Sequence, residues 1–298
     1  MYWKLTSKPK LWPNGHKTSI DSPPARVEGS QLRISFVGHS TMLIQTQSLN
    51  IITDPIWSFR ASPFKFFGPK RYSKPGIPFN KLPPIDLVLI SHNHYDHLDV
   101  ATLKKIWKRD HPRVIAPLGN DAVVHCKAPE IDVETLDWHG SIPITPKLII
   151  HLTPTQHWSA RNLLDRNKAL WGAFVILTEA GNIFFCGDSG YGSGELFRKM
   201  HANFGPFRFA MLPIGAYEPR WFMNYAHMNP VEAVMACKDL GEPYSAAIHI
   251  ETFRLGDEGM NDPRQILAAA CQKFNLDTNR FRALRIGEAW VVPEKQGH

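Results

Sequence analysis

The sequence predicts a layered domain of the α/β or α+β class, in which helices pack on β-sheets. Apolar and β-branched residues bounded by turns indicate two or three short strands over residues 32–55. A hairpin is expected around residues 180–182. Farther along, the predicted strand 207–215 is followed by a helix at 230–241 and a strand at 244–250. Hairpins combined with strand–helix alternation favour sheets that are covered by helices.

The remaining elements follow from the same patterns of hydrophobicity and turn residues. Further strands are predicted at 85–92, 114–118, 148–158 and 173–190, and further helices at 99–109, 119–126 and 262–274. The segment 85–92 is a continuous apolar run that ends in polar residues, which is typical of a buried strand opening into a loop. We expect Asp262 to cap the last helix, with Pro263 at its first position.

The chain divides into an irregular arm, residues 1–31, and a single domain, residues 32–298. The arm is rich in Pro, Lys and Ser, and Trp3 and Trp12 are its candidate anchors. A chain of 298 residues can bury one large core. Neither repeats nor a shift in composition marks a boundary within residues 32–298.

A long segment, residues 56–84, contains six prolines and two glycines and is therefore predicted to be irregular. Irregular loops of this length are more often functional than idle. The segment contains several aromatic side chains, namely Trp57, Phe59, Phe64, Phe66 and Phe67. These rings either line an apolar substrate groove or hold the loop against the core, and the sequence leaves both interpretations open.

The formal charge is +7, from 34 basic and 27 acidic residues. It favours anionic partners such as phosphates or an acidic membrane surface, or it reflects an ordinary solvated surface. No long run of like charges is present, so we expect no nucleic-acid partner. The four cysteines form no CxxC pair, which favours a reduced, cytoplasmic setting. No signal peptide or membrane span is evident, so contact with the inner membrane face would be peripheral.

The strongest chemical signal is the segment SHNHYDHLD, residues 91–99, directly after a predicted strand. Clustered imidazoles and carboxylates are unfavourable without a partner, whereas a divalent cation accepts both as ligands. His92 and His94 alternate and can share one side of an extended turn, and Asp96 and His97 follow the bend. One metal ion cannot readily use all four side chains. The segment therefore predicts two metal ions, and the alternative is a polar surface loop.

The run from His92 to His97 matches the HxHxDH signature, and the chain resembles the metallo-β-lactamase superfamily. This resemblance implies a four-layer αββα sandwich over residues 32–298, with the metal site at one edge of the sheets. It also implies a set of metal ligands that here would be His92, His94, Asp96, His97, His157, Asp188 and His249. His92, His94 and His157 would hold one ion, Asp96, His97 and His249 would hold the other, and Asp188 would bridge them.

Two histidines compete with the implied downstream ligands. His151 is an alternative to His157, but it lies inside an apolar strand rather than at its end, and His227 is an alternative to His249. Each downstream ligand considered alone also has an interpretation without metal, as a buried histidine or a turn aspartate.

A narrower resemblance involves segments outside the histidine motif. The chain is similar to the branch of N-acylphosphatidylethanolamine-hydrolysing phospholipases D and their bacterial relatives in GHSTMLIQ (38–45), TDPIWS (53–58), GDSGY (187–191), PIGAYEPRWFM (213–223) and IHIETFRLG (248–256). The resemblance implies a phospholipase D-type cleavage of such lipids with two zinc ions, for which iron and manganese are alternatives. The alternative activity is that of a metal-dependent lactonase or another phosphoesterase.

Within this hypothesis Asp96 and Asp188 orient the nucleophile as well as binding metal. His227 is a candidate hydrogen-bond donor to the phosphate or the leaving group, or an ordinary loop histidine. Tyr217 and Arg220 are candidate substrate contacts, although Arg220 equally suits a structural ion pair.

Two residues near the predicted strand ends have an open role. Asp54 is a candidate acceptor for a ligand histidine, or a turn residue before Pro55, and His39 has the same ambiguity. A nucleic-acid enzyme is disfavoured because no aromatic–basic stacking motif is present. A purely structural metal site is disfavoured because the implied site leaves room for water.

Overall fold

The computed structural model describes residues 10–13, 18–64 and 66–294. Within these residues the chain forms two seven-stranded sheets. The first sheet contains β1 (Leu32–Gly38), β2 (Thr41–Thr46), β3 (Leu49–Thr53), β4 (Leu87–Leu89), β5 (Arg113–Pro117), β6 (Glu134–Leu136) and β14 (Ala289–Val292). The second contains β7 (Ser141–Thr145), β8 (Leu148–Thr153), β9 (Ala173–Thr178), β10 (Asn182–Phe185), β11 (Phe207–Pro213), β12 (Tyr244–Ile248) and β13 (Phe281–Arg282). Their orders are β14-β1-β2-β3-β4-β5-β6 and β13-β12-β11-β10-β9-β8-β7.

Helices cover the outer faces of both sheets. They are α1 (Val100–Asp110), α2 (Asn120–His125), α3 (Glu195–Phe204), α4 (Arg220–Met223), α5 (Pro230–Asp239) and α6 (Asp262–Lys273). The helices α1 and α2 pack on the first sheet, and α3, α5 and α6 pack on the second. The described residues therefore form four layers, which confirms the predicted fold class.

The core follows the two-residue period of the strands. On β2, Met42 and Ile44 belong to the apolar cluster between the two sheets, whereas Leu43 packs with Leu103 of α1 on the outer side. All four side chains are fully buried. Because successive side chains of a strand point to opposite faces, one continuous apolar strand can serve both layers. Each such side chain stabilises the fold by about 1.5–3 kcal/mol.

Side chains cap the starts of two of the predicted helices. Asp99 caps α1 by accepting a hydrogen bond from the amide of Thr102. Asn229 and Glu232 form a reciprocal capping box at the start of α5. The expectation that Asp262 caps α6 is wrong, because the preceding residue, Asn261, holds the cap position and Asp262 is already helical. The Asp262 carboxylate instead accepts hydrogen bonds from Lys10 and the amide of Gly259.

Some of the remaining sequence predictions are confirmed, whereas others are incomplete. The hairpin at 180–182 is confirmed between β9 and β10, but β6, β7, β13 and β14 were not predicted. The segment 56–84 is irregular apart from a 3₁₀ turn at Phe79–Lys81. Trp12 is buried and its indole donates to the carbonyl of Glu258, whereas Trp3 lies outside the described residues. The division into an arm and one domain stays a prediction, and no helix among the described residues is long and apolar enough to cross a membrane.

The topology directs several strand ends toward one edge of the sandwich. In the first sheet β3 and β4 are parallel, and β1 runs the same way because β2 is antiparallel to both β1 and β3. In the second sheet β10, β11 and β12 are parallel, and β8 shares their direction because β9 is antiparallel to both β8 and β10. The loops after these strands carry the residues of the candidate site.

Candidate metal centre

Each side chain of the centre follows the carboxyl end of a strand. His39 follows β1, Asp54 follows β3, residues 92–97 follow β4, His157 follows β8, Asp188 follows β10 and His249 follows β12. The loops belong to both sheets, so the centre lies where the two sheets meet at one edge. The structure brings all seven sequence-predicted ligands together there.

The first group consists of His92, His94 and His157. Their nearest ring nitrogens all lie within 4.8 Å of one another. His94 Nδ1 is 2.9 Å from His92 Nε2 and 3.2 Å from His157 Nε2. His92 and His157 are buried and His94 is half-buried at the wall of a cavity.

The second group consists of Asp96, His97 and His249, together with His39. Their donor atoms also lie within 4.8 Å of one another. Asp96 Oδ2 is 3.3 Å from His97 Nε2 and 3.2 Å from His249 Nε2. The same oxygen lies 2.9 Å from His39 Nε2, a contact that the sequence left undecided.

Asp188 lies between the two groups. Its Oδ2 is 3.3 Å from His97 Nε2 and 3.2 Å from His249 Nε2, and it is 3.8 Å from His157 Nε2 in the first group. The side chain is almost completely buried. Asp188 therefore approaches ring nitrogens of both groups through the same oxygen.

The outer ring nitrogens of three histidines are held by groups away from the centre. His97 Nδ1 lies 2.7 Å from Asp54 Oδ2, and His157 Nδ1 lies 3.0 Å from the carbonyl oxygen of Ala226. His92 Nδ1 lies 2.9 Å from the hydroxyl of Ser91. Such contacts orient an imidazole and leave Nε2 with its lone pair toward the centre, as is usual for metal-ligating histidines.

The two carboxylates and their neighbours shift one another's pKa values. Burial alone would raise the pKa of Asp188, but the charges of His249 and His97 hold it well below its ordinary value. Burial opposes protonation of His249, yet Asp188 and Asp96 raise its pKa to about 9. By contrast, burial lowers the pKa of His94 to about 4 despite the nearby carboxylates. The centre therefore holds closely spaced groups that compete for protons.

The donor set suits divalent metal ions. Several buried polar atoms of the centre have no hydrogen-bond partner among the described residues, including His94 Nε2, His97 Nε2 and Asp188 Oδ1. A nitrogen with a free lone pair cannot form a hydrogen bond with a second one, so the crowding of three imidazoles around His94 Nδ1 is unfavourable by itself. A cation with nitrogen and oxygen ligands removes this conflict.

The backbone around the centre adopts conformations that are rare for residues other than glycine. His39, Asp54, Ala216 and His249 have φ values of 58°, 35°, 56° and 64°. Positive φ costs about 1–3 kcal/mol per residue and occurs preferentially at functional sites. Gly215 is required nearby, because a Cβ there would lie 1.9 Å from the carbonyl oxygen of His249.

A cavity of about 560 Å³ opens beside the centre. The polar part of its wall includes His94, Asp96, Asp188 and His227. The rest of its lining is largely aromatic and apolar and includes Tyr95, Trp158, Phe222, Met223, Tyr225 and Leu255. A cavity that combines reactive polar groups with apolar surface suits a ligand with a polar centre and apolar substituents.

The competing histidines occupy different places. His151 lies on β8 with its ring 5.1 Å from that of Phe204, and it is not part of the centre. His227 lines the cavity, and its Nδ1 is 3.7 Å from Asp188 Oδ2. His249 approaches Asp96 and Asp188 more closely than His227 approaches Asp188.

The two candidate substrate contacts near α4 have structural surroundings. Arg220 forms a bidentate ion pair with Glu232, with both distances 2.9 Å, and donates to the carbonyl of His227. Tyr217 is buried, and burial raises the pKa of its hydroxyl. Of the two sequence alternatives for Arg220, the ion pair is the one observed.

Sequence reasoning did not single out two residues of the cavity. Trp158 directly follows His157, and its ring centroid lies 4.3 Å from that of His94. Arg166 lies 4.7 Å above the Trp158 ring and brings a guanidinium to the cavity wall. The position of Trp158 directly after a candidate ligand could have identified it from the sequence, whereas Arg166 lies in a polar loop with no motif.

Comparisons with known proteins agree with the fold and the site. A family model described as a β-lactamase superfamily domain matches residues 49–250. N-acyl-phosphatidylethanolamine-hydrolyzing phospholipase D 1 of Caenorhabditis elegans is 35% identical over 277 residues, which cover 89% of this chain and 77% of that protein. The mitochondrial N-acyl-phosphatidylethanolamine-hydrolyzing phospholipase D of Saccharomyces cerevisiae is 35% identical over 248 residues, covering 80% of this chain and 52% of that protein.

Solved structures show the same architecture. Igni18, a metallo hydrolase from the archaeon Ignicoccus hospitalis, matches with a TM-score of 0.65 and 21% identity. The match covers 89% of this chain and 100% of that chain, and at this identity it shows the fold alone. The family match, the curated relatives and the αββα layers lead to one conclusion: the chain belongs to the metallo-β-lactamase superfamily and is a metal-dependent hydrolase.

Proposed function

We propose that this protein is a dinuclear-metal phosphodiesterase that carries out a phospholipase D-type reaction on N-acylphosphatidylethanolamine-like lipids. The observation that carries the proposal is the position of Asp188 between two groups of donor atoms, beside a cavity with an aromatic wall. The activity in the names of the two curated relatives supports the choice of substrate.

In this proposal His92, His94 and His157 would hold one ion, Asp96, His97 and His249 would hold the other, and Asp188 would contact both. Zinc is the first choice for this ligand set, and iron and manganese are the alternatives. Two bound divalent cations would supply Lewis acidity and lower the pKa of a water molecule.

The side chains of the centre have separate roles in the proposed reaction. Asp96 and Asp188 orient the nucleophile, since both carboxylates line the cavity. His227 donates a hydrogen bond to the phosphate or the leaving group. Burial lowers the pKa of His227 to about 4, so the ring is neutral near pH 7 and carries one N–H. Arg166 offers a positive charge to the phosphate at the mouth of the cavity.

Exposed aromatic rings on the 56–84 loop and on α4 support peripheral contact with a membrane. Phe66 and Phe67 in the 56–84 loop are 91% and 77% exposed, and Trp221 of α4 is 69% exposed. Trp57 differs, because its indole donates to the carbonyl of Ile77 and its ring packs on Phe79. Large exposed rings together with a net positive charge suit an anionic lipid surface.

The test is a parallel assay of the purified, zinc-loaded protein on an N-acylphosphatidylethanolamine, a generic phosphodiester and a lactone. We expect release of phosphatidate from the phospholipid and no turnover of the lactone. The matched control is His94→Ala, which should bind fewer metal ions and lack hydrolysis. Turnover of the lactone alone would replace the proposal with a lactonase. Reconstitution with iron or manganese in place of zinc tests the choice of metal.

The membrane contact has its own test. Sedimentation with anionic vesicles should recover the wild-type protein and much less of a Phe66→Ser, Phe67→Ser variant. Equal recovery of both proteins would contradict the contact.

A further inference from the structure

A second cavity, of about 500 Å³, lies beside the metal centre. Tyr95 lines both cavities, and none of the seven proposed metal ligands lines the second one. Its walls are formed by the loop 56–84, by residues 95–104 before and at the start of α1, and by Lys127 and Arg161 from later loops. We refer to it as the basic pocket because its lining includes four cationic side chains, Arg60, Lys104, Lys127 and Arg161.

The two arginines are partly buried and held by backbone carbonyls. Arg60 donates to the carbonyl of Gly68 at 2.6 Å. Arg161 donates to the carbonyls of Asn93 and Leu98 at 3.0 and 2.8 Å. Carbonyl oxygens orient a guanidinium but do not neutralise it. Both arginines are therefore fixed in position and keep their charge.

The positive charge of the basic pocket is incompletely balanced. Among the residues the structure describes, no carboxylate forms an ion pair with Arg60, Lys127 or Arg161, and Lys104 pairs only with Glu130 on the exposed surface. The Arg60 Nε atom is buried and has no hydrogen-bond partner among the described residues. Partly buried charges are costly unless an opposite charge compensates them.

The only acidic side chain among the described lining residues is already engaged. Asp99 caps α1 by accepting from the amide of Thr102 at 3.3 Å, and it also accepts from the amide of Ser58 at 3.0 Å. Asp99, together with Asp165 and Asp96, offsets part of the charge on Arg161, whereas Arg60 and Lys127 have no carboxylate partner among the described residues. An anionic ligand would supply the missing charge.

The remaining wall is aromatic. Phe59 and Phe64 line the basic pocket and are 61% and 63% exposed. The Arg161 guanidinium lies 3.7 Å from the centre of the Tyr95 ring, which fixes one face of the pocket. Exposed rings beside cationic side chains match a ligand with an anionic head and an apolar tail. The size of the cavity is within the usual range for small-molecule sites.

We propose that the basic pocket is a second ligand site, separate from the metal centre, that binds the phosphate monoester head of an anionic lipid. Arg60, Lys127 and Arg161 contact the phosphate, and Phe59 and Phe64 contact the start of the apolar chains. This site goes beyond the proposed reaction and does not depend on it, because no proposed metal ligand takes part.

The experiment is calorimetric titration of the zinc-loaded protein with dihexanoyl phosphatidate, inorganic phosphate and dihexanoyl phosphatidylcholine. The pocket variant is Lys104→Gln with Lys127→Gln, because both lysines are exposed and their replacement should not disturb folding. The matched control is Lys105→Gln with Lys108→Gln, which removes the same charge from exposed positions of α1 outside the pocket lining. The metal-free wild-type protein is titrated as well.

We expect phosphatidate to bind most tightly, to bind equally to metal-free and zinc-loaded protein, and to lose about tenfold or more in affinity in the pocket variant alone. Equal affinities in the pocket and control variants would overturn the proposal. So would equal binding of inorganic phosphate or phosphatidylcholine, since either removes the need for an anionic lipid. Loss of binding in the metal-free protein would assign the ligand to the metal centre, whereas absence of hydrolysis with intact pocket binding would refute only the proposed reaction.

Discussion

The replacement Asp54→Asn examines how the fold orients a proposed metal ligand. Asp54 is fully buried, and its Oδ2 accepts hydrogen bonds from His97 Nδ1 at 2.7 Å and from the Ser91 hydroxyl at 2.6 Å. Its Oδ1 accepts from the Ser91 amide at 2.7 Å. Asparagine keeps the size of the side chain and tolerates the φ value of 35° at this position.

The expected loss of metal affinity follows from the atoms that change. The asparagine carbonyl can still accept from the Ser91 amide, so its NH₂ group then faces His97. His97 must give up its hydrogen bond or move its proton to Nε2, which faces the centre. Loss of one hydrogen bond to a charged acceptor costs about 1.5–3 kcal/mol. The expected effect on the affinity of the site formed by Asp96, His97 and His249 is roughly ten- to hundredfold.

The assay is a zinc titration in competition with a chelator, combined with urea unfolding of the metal-free protein. The control is Asp21→Asn, which alters another buried carboxylate whose partners are Arg33 and Ser35 rather than a histidine. It should change stability without changing zinc affinity. If Asp54→Asn binds zinc as tightly as the wild type, the orienting role assigned to Asp54 is refuted.

Further predictions concern the cavity and the metal-free protein. His227→Gln should retain both metal ions and lower kcat about a hundredfold or more, because the ring lines the cavity. Metal analysis together with steady-state kinetics checks this prediction, and loss of metal would contradict it. Arg166→Gln should lower kcat/KM for an anionic phosphodiester about tenfold. The control Arg198→Gln, which lies outside the cavity lining, should not. Equal effects of the two replacements would refute the role of Arg166 in binding the phosphate. The metal-free protein should be most stable near pH 6.5. The pKa of His249 is raised from 6.5 to about 9 by Asp188 and Asp96 against the effect of burial, so its contribution is lost as the pH rises through about 9. Burial lowers the pKa of His94 to about 4, so the contribution of its neutral ring to the free energy of unfolding is lost as the pH falls through about 4. Urea unfolding at pH 4, 6.5 and 9 tests whether stability falls in both directions from pH 6.5.

The proposed downstream ligands could be located because the resemblance to the superfamily implies ligands at strand ends. His157, Asp188 and His249 all follow apolar strands, and strand ends of one direction meet at one edge of a sheet. The fold class was predictable for a similar reason, since continuous apolar strands such as β11 require cover on both faces.

Other features depend on tertiary contacts that leave no local pattern. The short strands β13 and β14 pair with distant partners and have little hydrophobic periodicity of their own. His39 contacts Asp96 across 57 positions of the chain, and Arg166 reaches the cavity from a polar loop. The cap of α6 was misplaced by one residue because asparagine and aspartate at adjacent positions both suit a helix start.

In the proposed reaction, side chains that follow four strands, β4, β8, β10 and β12, hold the two metal ions that hydrolysis requires. The most direct measurement is the metal content per chain of wild type, His94→Ala and His249→Ala, each assayed for phosphodiester hydrolysis before and after chelation. We expect two ions per chain in the wild type, fewer in each variant, and activity that chelation removes and zinc restores. Full hydrolysis by His94→Ala protein in metal-free buffer would contradict it.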